Sequence, residues 1–86
     1  MKRNPSLLLG ILIALEDSPY EELATIDLKE TLKETSESDY TMSEVLHHIH
    51  LLGDRGLVDS SSNRHRLTDA GHDHLEAARQ KGRVSL

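Results

Sequence analysis

The 86-residue sequence has no cysteine, phenylalanine or tryptophan, and its only large aromatics are Tyr20 and Tyr40. Without cysteine there is no disulfide framework, no thiolate metal site and no cysteine nucleophile. Without Phe or Trp, a core has to be packed from Leu, Ile, Val, Met and Ala. Positive charge is also scarce: 10 Lys and Arg stand against 15 Asp and Glu, a net charge of −5 with His neutral. That balance argues against a generic polyanion coat, because phosphate affinity comes mostly from Lys and Arg. A membrane-length apolar run is missing too. Leu7 to Leu15 spans nine residues, against the ~20 needed to cross a bilayer. Lys2 and Arg3 in front of it imitate a signal peptide, but Glu16-Asp17-Ser18 follow in place of a small-residue cleavage site. The segment therefore reads as a helix of a cytoplasmic protein. With 36% hydrophobic and 29% charged residues, the chain is polar without the depletion that marks disorder. Its length predicts one small domain over residues 1–86.

Local signals order the elements. Asn4-Pro5 opens a first helix, with Asn as cap and Pro at the first helical position, where its missing N–H costs nothing. Leu7, Leu8, Ile11, Leu12 and Leu15 form an inner stripe, and Leu9 and Ile13 lie on another side. A helix so apolar all round is either central or shared with a second subunit. The segment Glu16 to Pro19 closes it. Thr25-Ile26 reads as a short extended piece, and Asp27-Leu28-Lys29-Glu30 as a capping box for a helix with a thin Leu28–Leu32 seam. A loop covers Ser36 to Tyr40. Thr41-Met42-Ser43-Glu44 is a second capping box, and Met42, Val45, Leu46, Ile49 and Leu52 follow at offsets 0, 3, 4, 7 and 10, one helical face. Gly53 and Gly56 bracket the end of this third helix. Leu57-Val58 and His65-Arg66-Leu67 read as short strands around a turn-rich Asp59-Ser60-Ser61-Ser62-Asn63-Arg64. Thr68 caps a last helix to about Gln80, with Gly71, Leu75 and Ala78 inside, and residues 82–86 are expected to form a loose tail.

A helix-turn-helix followed by a two-stranded hairpin is the winged-helix arrangement. Val45-Leu46-His47-His48-Ile49-His50-Leu51-Leu52-Gly53-Asp54-Arg55-Gly56-Leu57-Val58 resembles the recognition helix and first wing strand of the arsenic-repressor group, V-x-x-H-[LI]-x-x-L-x-x-x-G-L-V. Arg66-Leu67-Thr68-Asp69-Ala70-Gly71 resembles the R-L-T-x-x-G that follows the wing in the multiple-antibiotic-resistance and phenolic-acid repressor families. Over almost the whole chain the sequence is similar to a family of small phage- and prophage-encoded proteins. These begin Met-Lys-Arg-[Asn/Asp], continue with an L-L-A-L-E helix and end L-T-x-x-G-H-x-x-L-x-A-A-R. The counterparts here are Met1-Lys2-Arg3-Asn4, Ile13-Ala14-Leu15-Glu16, and Leu67 through Arg79. His74 and Asp69 depart from that family, which usually carries aromatics there. The resemblance implies an α+β winged helix: a three-helix helix-turn-helix core, a two-stranded wing hairpin and a C-terminal helix. It implies no activity.

In a winged helix that reads DNA, the outward face of helix three enters the major groove and the wing touches phosphate. Here that face holds Ser43, Glu44, His47, His50, Leu51 and Asp54, with Arg55 at the flank and Arg64, His65 and Arg66 on the wing. It has no Lys, Arg, Asn or Gln, the side chains best suited to base edges. The expected DNA-contacting set is Ser43, Glu44, His47, His50, Leu51, Arg55, Arg64, His65 and Arg66. Homodimerisation through helices one and four is expected at Leu9, Ile13 and Leu75. His47 and His50 are i, i+3 neighbours, but a metal site would need a carboxylate from elsewhere. His72 and His74 point about 160° apart on a helix and cannot chelate together. His72 is expected to be partly buried between the last helix and the wing, and His48 to be a boundary residue beside Leu52. No metal, cofactor or catalytic residue is assigned: Ser60-Ser61-Ser62 is a turn, not a nucleophile elbow, and no phosphate-binding glycine loop follows a strand.

Two functions remain. The first is a small winged-helix transcription regulator that binds double-stranded DNA, for which Arg64 and Arg66 argue. The second is a winged helix used as a protein-binding module, for example a phage factor on a host protein. The acidic stretch from Glu16 to Asp39 and an exposed Leu51 argue for that one. Charge is unevenly spread. Residues 1–40 carry four basic and nine acidic side chains, whereas residues 41–86 carry six of each and all six His. The half expected to face DNA is thus neutral and gains positive charge as histidines protonate, ordinarily near pH ~6.5.

Overall fold

Asn4 sets the first helix as its sequence implies. Its backbone is extended and its Oδ1 accepts the free N–H groups of Ser6 (3.0 Å) and Leu7 (3.3 Å), with Pro5 in the first helical position. The computed structural model describes residues 1–36 and 38–80. In chain order these form α1 (Pro5–Asp17), β1 (Leu23–Ala24), α2 (Thr25–Ser36), α3 (Met42–Asp54), β2 (Val58–Ser61), β3 (Arg64–Leu67) and α4 (Asp69–Gln80). The expected tail, residues 82–86, lies outside the described residues.

Helix α1 is the centre of the core. Leu7, Leu8, Ile11, Leu12, Ala14 and Leu15 are buried, and Leu9 and Ile13 are half-buried against the same cluster. Leu28 and Leu32 of α2, Val45, Ile49 and Leu52 of α3, Leu57, Val58, Leu67 and Leu75 complete it. Among the described residues, the tyrosine packed against this aliphatic core is the half-buried Tyr40.

Three local expectations shift on folding. Thr25 begins α2 instead of forming a strand, so Asp27 lies in the first turn and is not its cap. The extended piece is Leu23–Ala24, held by antiparallel pairing with His65 and Arg64. On α3 the capping box forms as expected: Glu44 N–H donates to Thr41 Oγ1 (3.1 Å) and Thr41 N–H donates to Glu44 Oε1 (2.9 Å). Its inner face, however, is Val45, His48, Ile49 and Leu52, while Met42 is exposed and Leu46 half-buried. The wing turn is only Ser62-Asn63, both left-handed with φ of 50° and 64°. Two such residues make the tight hairpin loop that suits the strand twist, and Asn tolerates that backbone well.

The sheet order is β1-β3-β2, antiparallel throughout, with Ala24 opposite Arg64 and Arg64 opposite Ser61. Strand β1 therefore flanks the hairpin up to its turn, and the wing does not project beyond the sheet. Behind β3, Thr68 caps α4 as expected: Gly71 N–H donates to its Oγ1 (3.0 Å), and that hydroxyl donates to the Gly56 carbonyl (2.7 Å). The result is the expected α+β winged helix with a third strand added.

Candidate nucleic-acid interface

The residues expected to contact DNA fall into three environments. On α3, Ser43 and His50 are exposed, His47 is half-buried, and Arg55 is exposed just past the helix end. The His47 ring stands edge-on to His48, with centroids 5.3 Å apart. Glu44 is half-buried, with its carboxylate engaged in the capping box, so accepting from a cytosine amine would cost the helix its cap. Leu51 is half-buried against the core and offers only part of its side chain.

On the wing, Arg64 and Arg66 reach solvent but each already has a carboxylate. Arg64 Nε donates to Glu22 Oε1 (3.3 Å), and the Arg66 guanidinium donates to Asp59 Oδ2 (3.5 Å). Exposed pairs of this kind contribute at most about 1 kcal/mol, so a phosphate can displace either carboxylate.

His65 is the correction. It is 3% exposed, and both ring nitrogens are occupied: Nε2 lies 2.7 Å from Thr25 Oγ1 and Nδ1 lies 2.7 Å from Ser60 Oγ. The Thr25 hydroxyl donates to Asn63 Oδ1, so it accepts from Nε2–H, and the Ser60 hydroxyl donates to Nδ1. Burial, with the charge of His50 as a lesser cause, lowers the His65 pKa from its ordinary value. A buried neutral ring is no phosphate contact. It ties the wing turn to the start of α2.

Three other expectations change. Leu75 is fully buried inside the chain and is not available to a dimer interface. His72 is exposed and does not pack between α4 and the wing. His48 is 2% exposed and belongs to the core: Nδ1–H donates to the Glu44 carbonyl (2.7 Å), and Nε2 accepts the Asn4 backbone N–H (2.9 Å). That last bond fastens the amino-terminal arm, with Lys2 and Arg3, against α3. Sequence reasoning missed this placement of Arg3 beside α3, since nothing local links Asn4 to a histidine 44 positions away.

No group of three or more His, Cys, Asp or Glu comes together among the described residues as a metal site would require. No described helix is long and apolar enough to cross a membrane. A groove of about 380 Å³ is lined by Tyr20, Glu22, Asp27, Glu30, Glu34 and Arg64, among others.

No protein-family model and no curated protein sequence matches the chain. Among solved structures it is similar to hsRosR-S4, a winged-helix protein solved as a complex. The match has a TM-score of 0.75 and 21% identity, over 93% of this chain and 75% of that one. The likeness bears on the fold, and the fold is a winged helix.

Proposed function

We propose that this chain is a small winged-helix transcription regulator that binds double-stranded DNA and catalyses no reaction. In this reading α3 enters the major groove with Ser43, His47, His50 and the exposed part of Leu51, while Arg64 and Arg66 meet the backbone. One observation carries it: the fold leaves His50 of the recognition helix and Arg55 just past its end exposed, with His47 partly so, beside a hairpin whose two arginines are held only by exposed ion pairs. The protein acts in the cytoplasm as a homodimer through Leu9 and Ile13. The Met-Lys-Arg-Asn opening and the Leu-Thr-x-x-Gly-His close support a phage or prophage type.

A filter-binding titration on mixed-sequence duplex tests this. Binding should weaken linearly in log salt, the mark of counterion release. No binding at ~50 mM salt, even at pH ~6, overturns the reading. A protein-docking role is the second reading, favoured by the acidic groove along α2 and by a wing that stops level with β1.

A further inference from the structure

Four of the eight lysines and arginines among the described residues are answered by carboxylates. Lys29 pairs with Asp39, Arg64 with Glu22, Arg66 with Asp59 and Arg79 with Glu16. Arg3 and Arg55 pair with no carboxylate among the described residues. Together with Pro5 and Leu8 they line one open groove of about 370 Å³. Grooves elsewhere set an arginine among acids, as Arg64 beside Glu22, Asp27, Glu30 and Glu34, or Arg66 beside Glu16, Glu21 and Asp69. This groove holds two guanidiniums and no acid.

We infer that the groove between the amino-terminal arm and the end of α3 is a phosphodiester site, in which Arg3 and Arg55 grip the DNA backbone. Three features support it. Two like charges on one groove repel each other, and an anion between them relieves the repulsion. The planar guanidinium fork matches phosphate oxygens in pairs, and the apolar Pro5–Leu8 floor strengthens such contacts by excluding water. The arm is also held in place: Asn4 N–H donates to His48 Nε2, and His48 lies within α3, two turns before Arg55. The helix terminus itself is not the attraction, because Asn4 Oδ1 already takes the N–H groups of Ser6 and Leu7. Arg55 precedes the Val58 end of β2, so the site lies at the base of the wing hairpin, away from its tip.

The inference rests on the DNA-binding reading, and one experiment separates the two. Fluorescence anisotropy on a short mixed-sequence duplex compares the wild-type chain, the Arg3→Gln/Arg55→Gln variant and the Arg64→Gln/Arg66→Gln variant from ~50 to ~200 mM salt. All four arginines reach the surface, and circular dichroism confirms that each variant folds. The groove variant should bind at least roughly tenfold more weakly, with a log–log salt slope reduced by about 1 per arginine removed. Arginine Nε–H resonances of Arg3 and Arg55 should shift when wild-type protein meets the duplex. Wild-type binding with an unchanged groove variant overturns the inference and leaves the DNA reading standing. Absence of wild-type binding at ~50 mM salt overturns the DNA reading and this inference with it.

Discussion

Two of the six histidines are structural, and their chemistry differs from that of surface histidines. His65 sits in the sheet with its pKa lowered, chiefly by burial. In the unfolded chain a histidine titrates near 6.5, so below that value the unfolded state binds the proton more readily than the folded one. Stability from neutral His65 is fully present above pH ~6.5 and is lost as pH falls through that value toward the lowered folded pKa. Urea midpoints should therefore fall between pH ~7 and ~5, and His65→Gln should flatten the decline. A decline of equal steepness in the variant would remove His65 from the account. His48 is held differently, through one donated and one accepted hydrogen bond that together specify the Nδ1–H tautomer.

Among the elements, β2, β3 and α4 meet in a closely packed junction. Thr68 N–H donates to the Leu57 carbonyl (3.0 Å), and Gly71 packs directly over that same carbonyl. A Cβ at Gly71 would collide with the Leu57 carbonyl oxygen and lie 2.6 Å from Leu67 Cδ1. Gly71→Ala should therefore destabilise by about 1–3 kcal/mol in chemical denaturation, as overpacking against backbone does. Gly53→Ala is the matched control. Its nearest atom would be the Val58 carbonyl oxygen at an ordinary 3.6 Å, and alanine favours helix, so that variant should hold or gain up to about 1 kcal/mol. Equal losses in both would show that the junction is looser than described. Gly56, at φ +74°, is the one glycine among the described residues whose backbone turns left-handed, and it lets α3 give way to β2.

For the molecule as a whole, charge is sorted by place. Among the described residues, Glu22, Asp27, Glu30 and Glu34 line the α2 groove and Glu16 and Glu21 line the groove beside the α1–α2 connection, while Arg3 and Arg55, without a carboxylate partner, share the groove where the amino-terminal arm meets α3. Such a distribution orients the protein toward a polyanion more than its total charge would predict. Leu9 and Ile13 are half-buried by their own chain, so part of each remains for a second copy. Sedimentation should show a species heavier than the 9.6 kDa chain at high concentration. A single 9.6 kDa species at every concentration would mean that α1 needs no partner.

Short-range chemistry sufficed for much of this. The Asn4 and Thr68 caps, the Thr41–Glu44 box and the extent of α3 and α4 each follow from residues within one turn of one another. The winged-helix order followed from these signals and from turn chemistry. What depended on distant partners was not legible in the sequence. Strand β1 exists because β3 lies beside it, and that displaced the expected cap of α2 from Asp27. His48 displaced Leu46 from the inner face of α3 because Asn4 and the Glu44 carbonyl satisfy its ring. His65 moved from the DNA-contacting set into the core because Thr25 and Ser60 meet it there. Leu75 likewise left the surface. A polar ring is read as exposed until partners for both its nitrogens are in view, and for His48 and His65 one of the two, Asn4 or Thr25, lies 44 or 40 positions away. The grouping of Arg3 with Arg55 has the same cause: they lie 52 positions apart, and only the packing of the arm on α3 brings them to one groove.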